Sequence, residues 1–350
     1  MLARLAIIAG TALLALGNDG SATSTPAGGI QLTREPHISM EKERLTISDS
    51  KITVEYEFLN TSDQDISTEV AFPVPPYVLL VDDPEPNRGL DDFRVWVGGQ
   101  PVQYQTEAKA MRGGQDYGGL LRSLGVDIVG FGHFSWGPKD DTPMSHDIQR
   151  LSSSQQSNLA HLGLIDPEVK LPNWTVVKTY HWRQTFPACK PIQVRHEYKP
   201  VLGLGRTFGE GLKGADQVLG PHSVLGDQGR EKYAYENQGD VKFSDACVDA
   251  PLMKVLMTAA NRKNKEGYFR DVYAYWVDYI LTTANTWKTP IKDFELVIER
   301  RKPSNPGDRV YISLCWDGKI EQKDPDHFVA RKLDFVPTKE LRVMFFEVPK

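Results

Sequence analysis

Hydrophobic and polar positions alternate most densely between Tyr273 and Arg300. From Tyr273 the odd positions carry Tyr273, Tyr275, Val277, Tyr279, Leu281 and Trp287, while the even ones mix Trp276 and Ile280 with Asp278, Thr282 and Thr286. That is a period of two with one heavier face. From Lys292 onward Phe294, Leu296 and Ile298 oppose Asp293, Glu295 and Glu299, the pattern of a half-buried strand. Asn285, Lys288 and Pro290 lie between the two runs and supply turn chemistry, so two facing strands are expected here. Such a ribbon alone is marginal in water and requires further strands to cover its aromatic rings.

Further alternating runs are present. Ile52, Val54, Tyr56 and Phe58 alternate with Thr53, Glu55 and Glu57, and after a polar stretch at 60–65 Ile66, Thr68, Val70 and Phe72 alternate back, which predicts a hairpin. The prolines of 73–76 end it. Phe93, Val95 and Val97, then Gly98-Gly99, then Val102 and Tyr104 predict a second hairpin with a tight turn. A third is expected from Trp174, Val176, Tyr180, Trp182 and Phe186, followed across 187–191 by Ile192, Val194, His196 and Tyr198. Residues 107–112, 120–126 and 152–164 read as helical, which makes 106–172 a mainly helical insertion over one end of the sheet. Residues 202–239 read as a long glycine-rich surface loop. One more helix is expected near 247–264, capped by Ser244 or Asp245. Val310, Ile312 and Leu314, with Leu341, Val343 and Phe345, tie the C-terminus into the sheet.

Repeated hairpins without a strand-helix-strand rhythm predict a mainly β protein, antiparallel β-sandwich layers with an inserted helical segment and one further helix. The regions follow as 18–105 (β), 106–172 (insertion) and 173–350 (β).

Composition changes this picture in three ways. A net charge of −5 over 350 residues offers no basic field, so nucleic acid is not a predicted partner. An apolar run from Leu5 to Leu16 behind Arg4, with small residues at Ala15 and Gly17, predicts a secretory signal peptide at 1–17; cleavage after Ala22 and an uncleaved anchor are the alternatives. No later stretch approaches the roughly 18 apolar residues that span a bilayer, so no transmembrane segment is expected after cleavage. The expected location is periplasmic or secreted. There a disulfide becomes available to Cys189, Cys247 and Cys315. Cys247 with Cys315 is favoured, because these two flank the aromatic ribbon while Cys189 lies in a Pro-bounded turn; three unpaired cysteines are the alternative.

Candidate chemistry is sparse. There is no paired-histidine metal motif, Cys-X-X-Cys, nucleophile elbow, Walker loop or dinucleotide fingerprint, and no metal or cofactor is predicted. The glycine run 203–211 lacks a following helix, and the acidic turns 140–143 and 324–327 lack the spacing of a calcium loop. His196, beside Val194 and Tyr198, reads as a core histidine and His181 as a surface one. Asp278, amid aromatics, is a weak catalytic candidate. Trp182, Trp276 and Trp287 are candidates to face a ligand, against the commoner reading that rings at strand spacing fill a core.

Six stretches carry a family resemblance: 38–48 (ISMEKERLTIS), 54–60 (VEYEFLN), 72–75 (FPVP), 182–188 (WRQTFPA), 194–200 (VRHEYKP) and 279–291 (YILTTANTWKTPI). Together they resemble the secreted bacterial family called domain of unknown function 4424. The resemblance implies export and a mainly β fold, and brings no catalytic residues. The expected function is therefore a non-enzymatic binding or assembly module of the cell envelope, its partner an envelope protein or glycan. The alternative is a hydrolase of an envelope polymer, with a carboxylate site that includes Asp278.

Overall fold

A computed structural model describes residues 18–24, 30–79, 92–136, 143–206, 218–219 and 241–350. The expected signal peptide, the acidic residues 140–142 and most of the 203–239 stretch lie outside these residues. The chain opens with β1 (Gly20–Ser24), β2 (Ile30–Leu32), β3 (Ile38–Ile47), β4 (Ile52–Asn60) and β5 (Ile66–Pro73). It continues with β6 (Arg94–Val97), β7 (Gln100–Pro101), β8 (Gln105–Arg112) and β9 (Gln115–Asp116). Next come α1 (Gly118–Ser123), β10 (Phe134–Trp136), β11 (Pro143–Ser145), α2 (His146–Arg150) and α3 (Ser153–His161). There follow β12 (Thr175–Phe186), β13 (Pro191–Tyr198), β14 (Leu202–Arg206), β15 (Val218–Leu219), β16 (Val241–Lys242) and α4 (Ala250–Ala260). The chain closes with β17 (Tyr273–Tyr279), β18 (Ile291–Glu299), β19 (Arg309–Leu314), β20 (Ile320–Gln322), β21 (His327–Phe335) and β22 (Leu341–Val348).

Three larger sheets result. An eight-stranded sheet runs β20-β21-β18-β3-β4-β13-β6-β7, a six-stranded one β2-β1-β5-β12-β8-β9, and a four-stranded one β14-β17-β22-β19. A single cluster of buried side chains draws on all three, from Val54 and Phe58 through Phe72 and Trp182 to Tyr279, Phe294 and Phe345. Burying each large apolar side chain contributes about 2 kcal/mol, so this shared interior is what holds the layers together. The fold is mainly β and sandwich-like, as the alternation implies.

Two of the three expected hairpins, and the aromatic ribbon, are instead crossings between sheets. β4 pairs with β3 and β13, whereas β5 pairs with β1 and β12. β12 lies between β5 and β8, and β13 between β4 and β6. β17 pairs with β14 and β22, while β18 pairs with β21 and, in parallel, with β3. Alternation reports one buried face, and a strand keeps that face whichever layer it joins, so the pattern alone cannot separate a hairpin from a corner. The two corners 61–65 and 187–190 lie together: the Cys189 amide donates to the Ser62 carbonyl at 3.1 Å, and the Ala188 amide to Asp65 Oδ1 at 2.8 Å. The expected Gly98-Gly99 hairpin is present as β6–β7, with φ of 56° and 79° at the two glycines, values that the primed hairpin turns require.

Residues 107–112, expected as helix, form β8 against β12, where the ladder outweighs the helix propensity of Glu, Ala and Lys. The three short helices that follow pack Leu121, Ile148 and Leu159 on Ala110 and Val176. α4 is shorter than expected and is capped by Asp249, whose Oδ1 accepts from the Leu252 amide at 2.8 Å. Ser244 and Asp245 occupy a preceding 3₁₀ turn. α4 covers the outer face of the four-stranded sheet, burying Leu256, Ala259 and Ala260 on Ala274, Trp276, Met344 and Phe346. β17 is thus buried on both faces, which explains its imperfect alternation. Cys247 and Cys315 are joined by a disulfide across 68 residues, and Cys189 is free and exposed. Among the described residues no helix is long and apolar enough to cross a membrane.

Candidate functional site

The polar face of the eight-stranded sheet carries a groove of about 670 Å³. Register lines its side chains into rungs. Trp96 lies opposite Arg195, Arg195 opposite Glu55, Glu55 opposite Arg44, Arg44 opposite Glu295, and Glu295 opposite Arg331. One rung across six strands therefore reads aromatic, plus, minus, plus, minus, plus. The next rung runs from Gln193 through Glu57, Lys42 and Asp293 to Leu333. The sequence places these residues outward because their neighbours Leu45, Val54, Tyr56, Val194 and Leu296 fill the core on the other parity.

Contacts along the rungs follow the charges. Arg44 Nε lies 3.1 Å from Glu295 Oε1, Arg331 donates to Glu295 Oε2, and Lys42 Nζ lies 3.8 Å from Glu57. The Arg195 guanidinium stands 5.1 Å from the Trp96 ring centre. Partial burial opposes ionisation of Glu197, yet the hydrogen bond from Lys51 and the charge of Arg195 hold its carboxyl below the usual range. Exposed pairs of this kind contribute roughly 0 to 1 kcal/mol each, so folding gains little from them. What the face offers chemically is donors and acceptors in alternation, an indole ring at one end, and Leu333, 76% exposed, at the other.

The residues singled out in the sequence lie elsewhere. Trp182, Trp276 and Trp287 are 3%, 5% and 1% exposed and fill the interior, so they do not face a ligand. The Trp182 indole donates to Gln184 Oε1 at 3.0 Å and that of Trp287 to the Asp19 carbonyl at 2.7 Å. The Trp276 ring lies across β14, where a Cβ on Gly203 would stand 1.9 Å from it; that glycine makes room for an indole, and no phosphate loop is needed to explain it. Asp278 is paired through both oxygens with Arg342, its cross-strand neighbour, at 2.6 and 2.9 Å, outside the groove. That is a structural ion pair, and it raises the Arg342 pKa against the opposing effect of burial. His181 is half-buried and bonds Glu69 at 2.6 Å. Asp324 accepts from the amides of Asp326 and His327, closing a turn. Among the described residues no group of three His, Cys, Asp or Glu side chains is placed to hold a metal.

Sequence reasoning missed a second feature, a polar centre inside the core. His196 is fully buried, ringed by Tyr56, Phe72, Phe93 and Trp182 at 5.0–5.5 Å, and burial pushes its pKa down to about 3. Its Nε2 lies 3.4 Å from Asp19 Oδ2 without hydrogen-bond geometry. Asp19 and Glu43 are buried as well. Burial pushes Glu43 up to about 8, against the lowering effect of its bond from Asn18, and Asp19 well above its usual range. The one available signal was Glu43 itself, a charged residue at an inward position of the strand 38–48.

No curated protein matches the chain. Among solved structures, a crystal structure of a Legionella pneumophila protein, described provisionally as nutrient binding, is similar over 95% of this chain and 71% of its own, at 13% identity and a TM-score of 0.37. That is too distant to carry an argument. The profile of the family described as domain of unknown function (DUF4424) matches residues 17–344, the whole of the sheet assembly up to the middle of β22, and the chain belongs to that family.

Proposed function

We propose that the protein is an exported, non-enzymatic binding module of the bacterial cell envelope, periplasmic or secreted, that holds an envelope glycan or protein on the charged face of its eight-stranded sheet. The observation that carries this reading is the rung of alternating charge ending on Trp96: a face that adds little to stability yet presents ordered donors, acceptors and an aromatic platform suits recognition of a polar, extended ligand. Export is supported by the apolar run Leu5–Leu16 and by the Cys247–Cys315 disulfide, which belongs in an oxidising compartment. We favour binding over the hydrolase alternative because Asp278 is engaged with Arg342 outside the groove.

The test is capture from envelope extract, with bound glycans and proteins identified by mass spectrometry, comparing the native protein with Trp96→Ala and with the double reversal Arg44→Glu/Arg331→Glu. Native protein should enrich one ligand that both variants lose. Equal capture by all three would sink the charged face as the binding surface.

A further inference from the structure

Asp19 and Glu43 are two buried carboxylates, 0% and 1% exposed, and among the described residues neither is paired with a lysine or arginine. Neither carboxylate oxygen of Asp19 has a hydrogen-bond partner. The groups facing the pair are Tyr56, Tyr279, His196 and Asn18; the tyrosines titrate well above their usual range and His196 well below its own, so none supplies a positive charge near neutrality. An uncompensated charge in such a place costs several kcal/mol, so near neutrality these acids either hold their protons or face a cation.

The main-chain nitrogen of Asn18 is the group that can become one. Asn18 is fully buried, its Nδ2 donates to both Glu43 oxygens at 3.1 and 3.0 Å, and Asp19 is its neighbour in the chain. Its main-chain nitrogen donates to Thr283 Oγ1 at 2.5 Å, and Thr283 Oγ1 donates back to the Asn18 carbonyl at 2.6 Å. Trp287 holds the Asp19 carbonyl, and Thr286 Oγ1 accepts from the Ser21 amide at 3.1 Å, so 283–287 clamps this end of the chain. In a chain that continues upstream, the Asn18 nitrogen is a neutral amide with one hydrogen. In a chain that starts there it is an ammonium with three, of which Thr283 takes one and two are left over. An unperturbed α-amino group titrates near pH 8, roughly, and neighbouring carboxylates favour its charged form.

We propose that cleavage of the Gly17–Asn18 bond makes Asn18 the first residue of the mature protein, and that its α-ammonium group is the buried counter-ion of Asp19 and Glu43. The cleavage is a hydrolysis by an export peptidase: the C–N bond breaks, water gives its oxygen to the Gly17 carboxyl, and the freed amine takes up a proton. Removal of the leader then sets one positive charge against the two acids, which share one proton between them, as well as releasing the protein. Cleavage after Ala22 would instead delete Asn18 and Asp19 and three of the five residues of β1, which sits between β2 and β5. The proposal rests on the export reading above.

The test begins with the full chain expressed in an exporting bacterium and the mass of the purified product, expected to be that of residues 18–350. Reductive methylation at pH 7 should then leave the Asn18 amine unmodified in the native protein and modify it in urea. A second protein carrying one extra Gly before Asn18 should melt about 5 °C lower, and in a Glu43→Gln background that extension should shift the Tm far less. A product that retains residues 1–17 would sink the export reading, and a start at any other residue the proposed end. A start at Asn18 with an amine freely methylated in the native state would leave export standing and overturn the counter-ion. If the extended protein does not fold, the methylation result decides alone.

Discussion

His196 titrates in the unfolded chain near pH 6.5 and in the folded one at about 3. Its folded pKa lies below its unfolded value, so the unfolded state binds the extra proton and stability falls as pH drops below about 6.5, by about 2 kcal/mol between pH 7 and pH 5 through this group alone. His196→Phe should remove that loss and be close to neutral at pH 7, since both ring nitrogens lack a hydrogen-bond partner; urea unfolding at the two pH values measures it. Glu43 works in the opposite sense. Its folded pKa is raised, so in a chain extended upstream of Asn18 it contributes stability below about pH 4.5 that is lost as pH rises towards 8, and Glu43→Gln should flatten that decline. Trp287→Ala would remove a fully buried ring and the bond to the Asp19 carbonyl, and should cost about 4 kcal/mol in the same measurement. Which residues are core was legible in the sequence: Tyr56, Phe58, Phe294 and Leu296 sit where period two puts them. The meeting of Asp19 with Glu43 was not, because apart from the inward position of Glu43 nothing local marks two acids that Tyr56, His196 and Tyr279 enclose from separate strands.

At the scale of elements, strand identity was readable and strand partnership was not. Val54 and Val194 are each flanked by outward polar neighbours, and that suffices to place both on half-buried strands; that β13 lies against β4, and β12 against β5, is decided by two corners that meet at Ser62 and Cys189. The parallel contact of β18 with β3 is a further case, since no short connection announces it. Residues 107–112 show the reverse failure, where helix formers were drawn into a ladder by Thr175–His181. The disulfide closes a 68-residue separation that contains α4 and the two-faced strand β17. Replacing Cys247 and Cys315 together by Ser should lower stability by about 4 kcal/mol on the chain-entropy account, whereas Cys189→Ser should change it little; urea midpoints of the oxidised proteins compare them.

For the molecule as a whole, Glu55, Glu57, Asp293 and Glu295 of the groove were visible as outward positions on separate alternating strands, whereas Trp96, Arg44 and Arg331 were not singled out, and the rung that joins them exists only once six strands are in register. Because its ion pairs are exposed, ligand binding there should weaken steeply between 50 and 300 mM salt, as the Debye length shrinks from about 14 Å to about 6 Å, while the Tm of the free protein hardly moves. Binding that is indifferent to salt would speak for another surface.

The parallel pairing of β3 with β18, together with the bond from Asn18 to Thr283 across 265 positions, also dictates when folding can occur. β3 meets β4 at once, but its other neighbour β18 and the Thr283 partner of Asn18 arrive only when nearly 300 residues have been delivered, so these two contacts require long loops to close before they give any reward. This seam therefore closes last, a habit that would suit the export proposed above, in which a chain is threaded through a membrane before its two ends can meet.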